Sequence, residues 1–277
     1  MIIDGKKIAE DIKQELKKEI ELMSKELKLV IVQVGDDPAS LKFVEKKEEF
    51  AKEIGVKTKV FKLSKDISTG KLRKKISEIA HSPVGGKQCF GIIIQLPLPL
   101  HINTQYILDS IPTGKDVDVL SKRAMGEFVV SKSKILPPVV GAIKEILSLG
   151  GSPAKLTGKN VVVVGAGLLV GKPVAIWLIN EGATVSVLGK NTLDLKPFTL
   201  MADIIISGAG SPSLVKPEMV KDGAVLIDAG ASEQSGKLVG DIDSSCGDRA
   251  SLFASVPGGV GPITVAMVFK NLVDLNK

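Results

Sequence analysis

Val161-Val162-Val163-Val164-Gly165-Ala166-Gly167-Leu168-Leu169-Val170-Gly171-Lys172-Pro173 is the stretch that decides the fold. Four consecutive valines suit a strand buried on both faces, the pattern of a parallel sheet. The glycines mark a turn, and Gly171 to Pro173 open a helix, since proline is accepted in a helical first turn. In a Rossmann-type unit such glycines let the backbone approach a diphosphate, whose charge meets amide groups at the helix N-terminus. The spacing G-x-G-x-x-x-G is one residue longer than the common fingerprint, and a tight turn without a ligand would use the same residues. What favours a nucleotide site is the company: strands at Asn160–Gly165, Thr184–Leu188, Asp203–Ser207 and Ala224–Asp228, with a helix at Gly171–Glu181. Gly165, Ala166, Gly167, Val170 and Gly171 are therefore candidate contacts for a nicotinamide dinucleotide.

The second strand of this unit ends at Leu188-Gly189-Lys190-Asn191, without the acidic residue that would hold a ribose 2′-hydroxyl in an NAD site. Lys190 can meet a 2′-phosphate instead, so NADP is expected, with NAD as the alternative and a solvated loop lysine as the competing reading. Upstream, the pattern predicts helix at Lys6–Lys28, strand at Leu29–Gly35, helix at Pro38–Gly55, strand at Lys57–Leu63, helix at Thr69–His81 and strand at Phe90–Gln95. The chain thus reads as two α/β domains with a cleft between them. The first spans residues 1–138, and the second, of Rossmann type, spans residues 139–261. A connecting helix lies at Val139–Leu149, before the turn-rich Gly150–Lys159, and a last helix at Pro262–Leu275 is expected to pack back on the first domain.

Composition narrows the function. With 277 residues, 44% apolar and 25% charged, the chain has the make-up of a soluble globular protein and no apolar run long enough to span a bilayer. The start Met1-Ile2-Ile3-Asp4-Gly5 lacks the features of a secretory signal, which predicts a cytoplasmic protein. Cys89, Cys246, His81 and His101 are too few and too scattered for a disulfide framework or a metal site, and buried thiols are expected. The net charge of +6 comes from lysines at helical spacing, as on Lys13–Lys28, and aromatic residues make up only 4%. That argues against nucleic-acid binding and fits an anionic small ligand.

In the first half, Phe43 and Lys47 are one helical turn apart, so a ring and an amine share one face. Spacing alone favours a core Phe43 and a surface Lys47 instead. Gln95 ends a buried strand, at the end of the sheet where α/β proteins bind ligands, and precedes Leu96-Pro97-Leu98-Pro99. Lys115-Asp116-Val117-Asp118 offers two carboxylates on one face if extended, or a solvated loop. Pro257-Gly258-Gly259-Val260-Gly261-Pro262-Ile263-Thr264 suits a close backbone approach to a ligand or a plain helix-entry turn.

Taken in order, Val34–Ser40 leading to Phe43 and Lys47, Gln95–Pro99, Lys115–Asp118, Val170–Pro173, Val239-Gly240-Asp241 and Pro257–Thr264 resemble the bifunctional methylenetetrahydrofolate dehydrogenase/methenyltetrahydrofolate cyclohydrolase family over nearly the whole chain. The resemblance implies a homodimer, NADP or NAD on the second domain, and a folate site. It implies NADP-dependent oxidation of 5,10-methylenetetrahydrofolate to the methenyl form, then hydrolysis to 10-formyltetrahydrofolate. By motif position Lys47 is the catalytic lysine, Gln95 tunes it, Asp118 binds the pterin, Phe43 stacks on folate, and Gly258, Gly259 and Pro262 line the folate pocket. Ser232 takes the place of a cofactor-binding asparagine. The chain departs from the pattern where Phe43 replaces an aromatic hydroxyl, Val119 a glycine, Ser121-Lys122 a His-Pro, Leu136–Val139 a Pro-Cys-Thr-Pro, and Ala166-Gly167 an Arg-Ser. Phe43 predicts weakened cyclohydrolase activity, the changes at 119, 121–122 and 136–139 flank the folate cleft, and those at 166–167 and 232 predict weaker cofactor contacts. They leave open a folate- or nucleotide-binding homologue without catalysis, or a Rossmann dehydrogenase for another small substrate.

Overall fold

A computed structural model describes residues 1–81, 90–149, 155–234 and 236–277. Cys89, the Ser82–Lys87 loop and part of Gly150–Lys159 lie outside the described residues. The chain divides into two compact units, one of Glu10–Pro138 with Val265–Lys277, the other of Met1–Ala9 with Val139–Thr264.

The first unit holds most of helix α1 (Gly5–Glu21), then β1 (Lys28–Val34), α2 (Pro38–Glu53), β2 (Lys57–Leu63), α3 (Thr69–His81), β3 (Phe90–Ile94), α4 (Thr104–Leu108) and α5 (Lys122–Val129). Its sheet is parallel in the order β2-β1-β3. Leu29 and Ile31 of β1 and Ile92 of β3 are fully enclosed, whereas β2 alternates between covered and exposed positions. Both β2 and β3 are edge strands, but β3 is covered, with Asp116 bridging to Ile92 along its outer side, whereas β2 has one face left open and so needs only one apolar face. Helix α2 is started by Asp37, whose carboxylate accepts from the Ser40 amide at 2.8 Å, with Pro38 in the first turn. Phe50 of α2 stacks on Phe269 at 5.0 Å between centroids.

The second unit carries α6 (Pro138–Leu147) from Val139 on, β4 (Asn160–Val164), α7 (Gly171–Asn180), β5 (Thr184–Leu188), α8 (Lys196–Thr199), β6 (Ile204–Ser207), β7 (Val225–Asp228), the hairpin β8 (Ser232–Gln234) and β9 (Lys237–Val239), and β10 (Leu252–Ala254). Helix α9 (Val260–Asp274) begins here and ends among the residues of the first unit. Its five-stranded sheet is parallel in the order β10-β7-β6-β4-β5. The chain leaves β4 for β5 on one side, then crosses back to β6 on the other, so the switch in winding direction falls between β4 and β6. Val162, Val164, Ile205, Leu226, Cys246 and Phe253 share one buried cluster. Cys246 meets the expectation of a buried thiol. The first residues join this unit because Met1 and Ile3 exchange backbone hydrogen bonds with Phe253, at 2.8 and 2.9 Å, and the Gly5 amide donates to the Gly258 carbonyl at 2.9 Å. The predicted long first helix ends early, at Glu21, and Leu27 enters the core instead.

Candidate active site and dinucleotide turn

In the first unit, strand β3 delivers Gln95 and helix α2 delivers Lys47 to one buried point. Lys47 is 9% exposed and Gln95 8%, and the Lys47 Nζ donates to Gln95 Oε1 at 2.8 Å. The glutamine is itself held at both ends: its backbone amide donates to the Val32 carbonyl at 2.9 Å, and its Nε2 to the Leu96 carbonyl at 2.9 Å. Fixing the amide this way leaves Oε1 as the atom offered to the lysine. Burial pushes the Lys47 ammonium below the usual lysine range, and the Asp118 carboxylate partly restores it. Phe43, one turn earlier, is 39% exposed, with the Lys46 Nζ 5.8 Å from its ring centroid. The structure therefore reverses the bland alternative: the lysine is inside and the phenylalanine is open.

Asp118 stands on a loop tied down from several sides. The Lys115 Nζ donates to the Ala80 carbonyl at the end of α3 at 2.6 Å and lies 4.0 Å from the Phe90 ring centroid. Asp116 is buried and accepts from the amides of Leu120, at 3.3 Å, and Ser121, at 2.8 Å. The Asn271 amide group donates to the carbonyls of Val117, at 2.8 Å, and Leu136, at 2.7 Å. The stretch is neither extended nor a solvated loop, because it turns back on Asp116 and Val119 takes φ +58°. Burial raises the Asp118 carboxyl to about 6, with Lys47 opposing and Asp116 adding to the rise.

In the second unit the glycine turn closes on itself. A Cβ on Gly171 would sit 2.0 Å from the Gly165 carbonyl oxygen, and one on Gly165, at φ +103°, would sit 2.6 Å from the Gly208 carbonyl oxygen. Nothing lies within 4 Å of a Cβ on Gly167, so that side is open. Bare backbone facing open space before α7 is the cradle that a diphosphate needs, and the residues present fit a dinucleotide. Lys190 is exposed just past β5, whose Leu188 carbonyl accepts from the Gly165 amide at 2.7 Å. Ser232 opens the hairpin strand β8 and is half-buried. Gly258, at φ +99°, and Gly259 precede α9, where Pro262 is in the first turn and half-buried.

Both halves of the chain match one family. Residues 3–118 match the catalytic domain of tetrahydrofolate dehydrogenase/cyclohydrolase, and residues 137–277 match its NAD(P)-binding domain. The chain belongs to the tetrahydrofolate dehydrogenase/cyclohydrolase family. It is 40% identical to the bifunctional protein FolD of Hydrogenobaculum over 279 residues, covering 100% of this chain and 98% of that one. Among solved structures it resembles the bifunctional enzyme FolD of Campylobacter jejuni, with TM-score 0.92, 37% identity and coverage of 100% and 98%. It also resembles the Trypanosoma brucei enzyme complexed with NADP and an inhibitor, with TM-score 0.91, 31% identity and coverage of 100% and 97%.

Two groups that hold the Asp118 loop were not among the candidate residues read from the sequence: Asn271 and Lys115. Each acts on backbone far away in sequence, so no local spacing marks it. Lys115 at least falls inside the Lys115–Asp118 motif, whereas Asn271 sits within the last helix with nothing local to mark it.

Proposed function

We propose that this chain oxidises 5,10-methylenetetrahydrofolate with NADP and hydrolyses the resulting methenyl form to 10-formyltetrahydrofolate. Membership of the family over both domains supports the two reactions, and the buried Lys47–Gln95 pair is the observation that carries the chemistry. NADP, when bound, supplies the hydride acceptor. Gly165, Ala166, Gly167, Val170 and Gly171 would hold its diphosphate, Lys190 its 2′-phosphate, and Ser232 a polar group of the dinucleotide.

Hydrolysis adds water to the methenyl carbon, releases a proton and opens the ring at one carbon–nitrogen bond. Burial favours the neutral amine of Lys47, which can take that proton, and Gln95 Oε1 fixes the Nζ where it acts. Asp118 binds the pterin and Phe43 stacks on folate. Gly258, Gly259 and Pro262 keep the folate-contact role given by the resemblance. We read the protein as a homodimer of the cytoplasm acting on small folates, not on nucleic acid or membrane. The free, buried Cys246 suits a reducing compartment, and among the described residues no helix is long and apolar enough to cross a membrane.

A coupled assay of both reactions tests the reading. Turnover of methylenetetrahydrofolate with NADP is expected. Phe43→Tyr should speed methenyl hydrolysis about tenfold, the effect of roughly 1.4 kcal/mol from one new hydrogen bond near Lys47. Absence of turnover by either protein would refute it, and tight folate binding without turnover would identify a non-catalytic homologue.

A further inference from the structure

Asp241 is wholly enclosed, yet its carboxylate is among the most heavily used acceptors in the second unit. It accepts from the Ser207 hydroxyl at 2.8 Å and from three successive amides: Ala209 at 2.6 Å, Gly210 at 3.2 Å and Ser211 at 2.7 Å. All four donors lie at or just beyond the carboxyl end of β6. This loop and the glycine turn after β4 flank the switch between β4 and β6, where open α/β sheets bind their ligands.

The two segments touch: the Gly208 carbonyl oxygen occupies the space a Gly165 side chain would need, and Val170 packs where a Gly208 side chain would be. In a planar trans peptide the N–H and C=O point in opposite directions. Three amides drawn inward to one carboxylate therefore turn the carbonyls of Gly208, Ala209 and Gly210 away from it. For Gly208 that direction is seen directly, in its approach to Gly165. The same peptide geometry turns the Ala209 and Gly210 carbonyls away from the carboxylate, and both residues are exposed, which leaves these carbonyls open as acceptors.

The geometry points to Asp241 as a positioning residue for the cofactor: it turns the 208–210 loop so that backbone carbonyls, not amides, are presented at the dinucleotide crevice. Such acceptors suit hydroxyl and carboxamide donors of the dinucleotide and are repelled by its phosphates, which are left to the glycine turn after β4. Glycines hold the carboxylate's surroundings in place. A Cβ on Gly230 would sit 2.1 Å from the Asp241 carboxylate, and one on Gly240 would sit 2.1 Å from Asp228 Oδ2. Asp228 itself accepts from the amides of Gly230, at 3.0 Å, and Ile242, at 2.8 Å, beside Asp241 in the chain.

This inference rests on the reading of the second unit as an NADP domain, and its test separates the two. Asp241→Asn keeps the shape but offers one neutral acceptor oxygen and a carboxamide NH2, a donor set against the donating loop amides. Titration of the full-length protein with NADPH, followed by fluorescence, should show at least about a tenfold weaker dissociation constant, since charge-assisted hydrogen bonds are the strong ones. The KM for NADP should rise likewise, with kcat lowered less and methenyl hydrolysis, which uses no dinucleotide, as the check on folding. Ser207→Ala, which removes one donor of the four, should weaken NADPH binding about threefold to fivefold, and it decides the matter if the Asn variant does not fold. NADPH affinity within twofold of the parent in either folded variant overturns the inference, as does a loss of thermal stability with affinity unchanged. NADPH binding by a parent protein that turns over no folate would overturn the proposed reaction and still test Asp241.

Discussion

Replacing Val119 by glycine should cost much less stability than the same change two residues away at Val117. Both valines are completely enclosed, at 0% exposure, and lie on the loop that carries Asp118. Burying a valine side chain is worth about 1.5–3 kcal/mol, and glycine adds about 0.5–1 kcal/mol of chain entropy to the cost of folding. Val117→Gly should thus destabilise by about 2–4 kcal/mol. Val119 loses the same contacts, but its backbone sits at φ +58°, a region that a β-branched residue enters only at a cost of about 1–3 kcal/mol. Glycine removes that cost. The two variants should therefore differ by about 1–3 kcal/mol, or several degrees in Tm at about 2–4 °C per kcal/mol for a chain of this size class. Scanning calorimetry of the parent and both variants measures it. Equal losses, or a larger loss at Val119, would show that the left-handed valine stores no strain and that the reasoning is wrong.

Three other outcomes are expected. Gln95→Glu places a negative charge against Lys47, so the rising limb of the hydrolysis pH profile should move to higher pH by about 1–3 units; an unmoved profile would remove Lys47 from the titrating step. Gly171→Ala drives a Cβ to 2.0 Å from the Gly165 carbonyl oxygen, backbone against backbone, so the turn must open and the KM for NADP should rise at least about tenfold, measured in the dehydrogenase assay. Burial raises the Asp228 carboxyl to about 6, so it binds its proton more readily folded than unfolded, and its stabilising contribution, complete below about pH 4, is lost as pH rises through 6. Asp228→Asn should accordingly flatten the fall in stability between about pH 4 and 6, by up to roughly 1.4 kcal/mol per pH unit in urea denaturation; an unchanged slope would mean that Asp228 does not titrate there.

The parallel sheets were legible because their strands are short runs, apolar where both faces are covered and alternating at an open edge, separated by helical periodicity, and the alternating Lys57–Leu63 and Thr184–Leu188 fall where the pattern placed them. Less legible were β8 to β10. Each is three residues long, and β10 is defined by pairing with β7 and with the N-terminal residues, not by any pattern of its own. The same physics divides the site. Periodicity could put Phe43 and Lys47 on one face of α2, but it could not say which of them is buried, since that depends on the sheet beneath. Gln95 was readable as the end of a strand, whereas the anchoring of Asp118 by Asn271 spans residues 154 apart and left no local mark.

The two enclosed aspartates of the second unit bear on how this sequence can change. Asp241 fills the space that any side chain at position 230 would take, and Asp228 fills the space at position 240, so each carboxylate fixes a glycine next to the other. A single substitution at either glycine meets a buried carboxylate, and replacing either aspartate by a residue without a side-chain oxygen leaves amides without their acceptor. Positions 228, 230, 240 and 241 therefore form one heritable block with strong epistasis. A combinatorial library that varies the four together can leave the present solution, whereas stepwise drift is held to it.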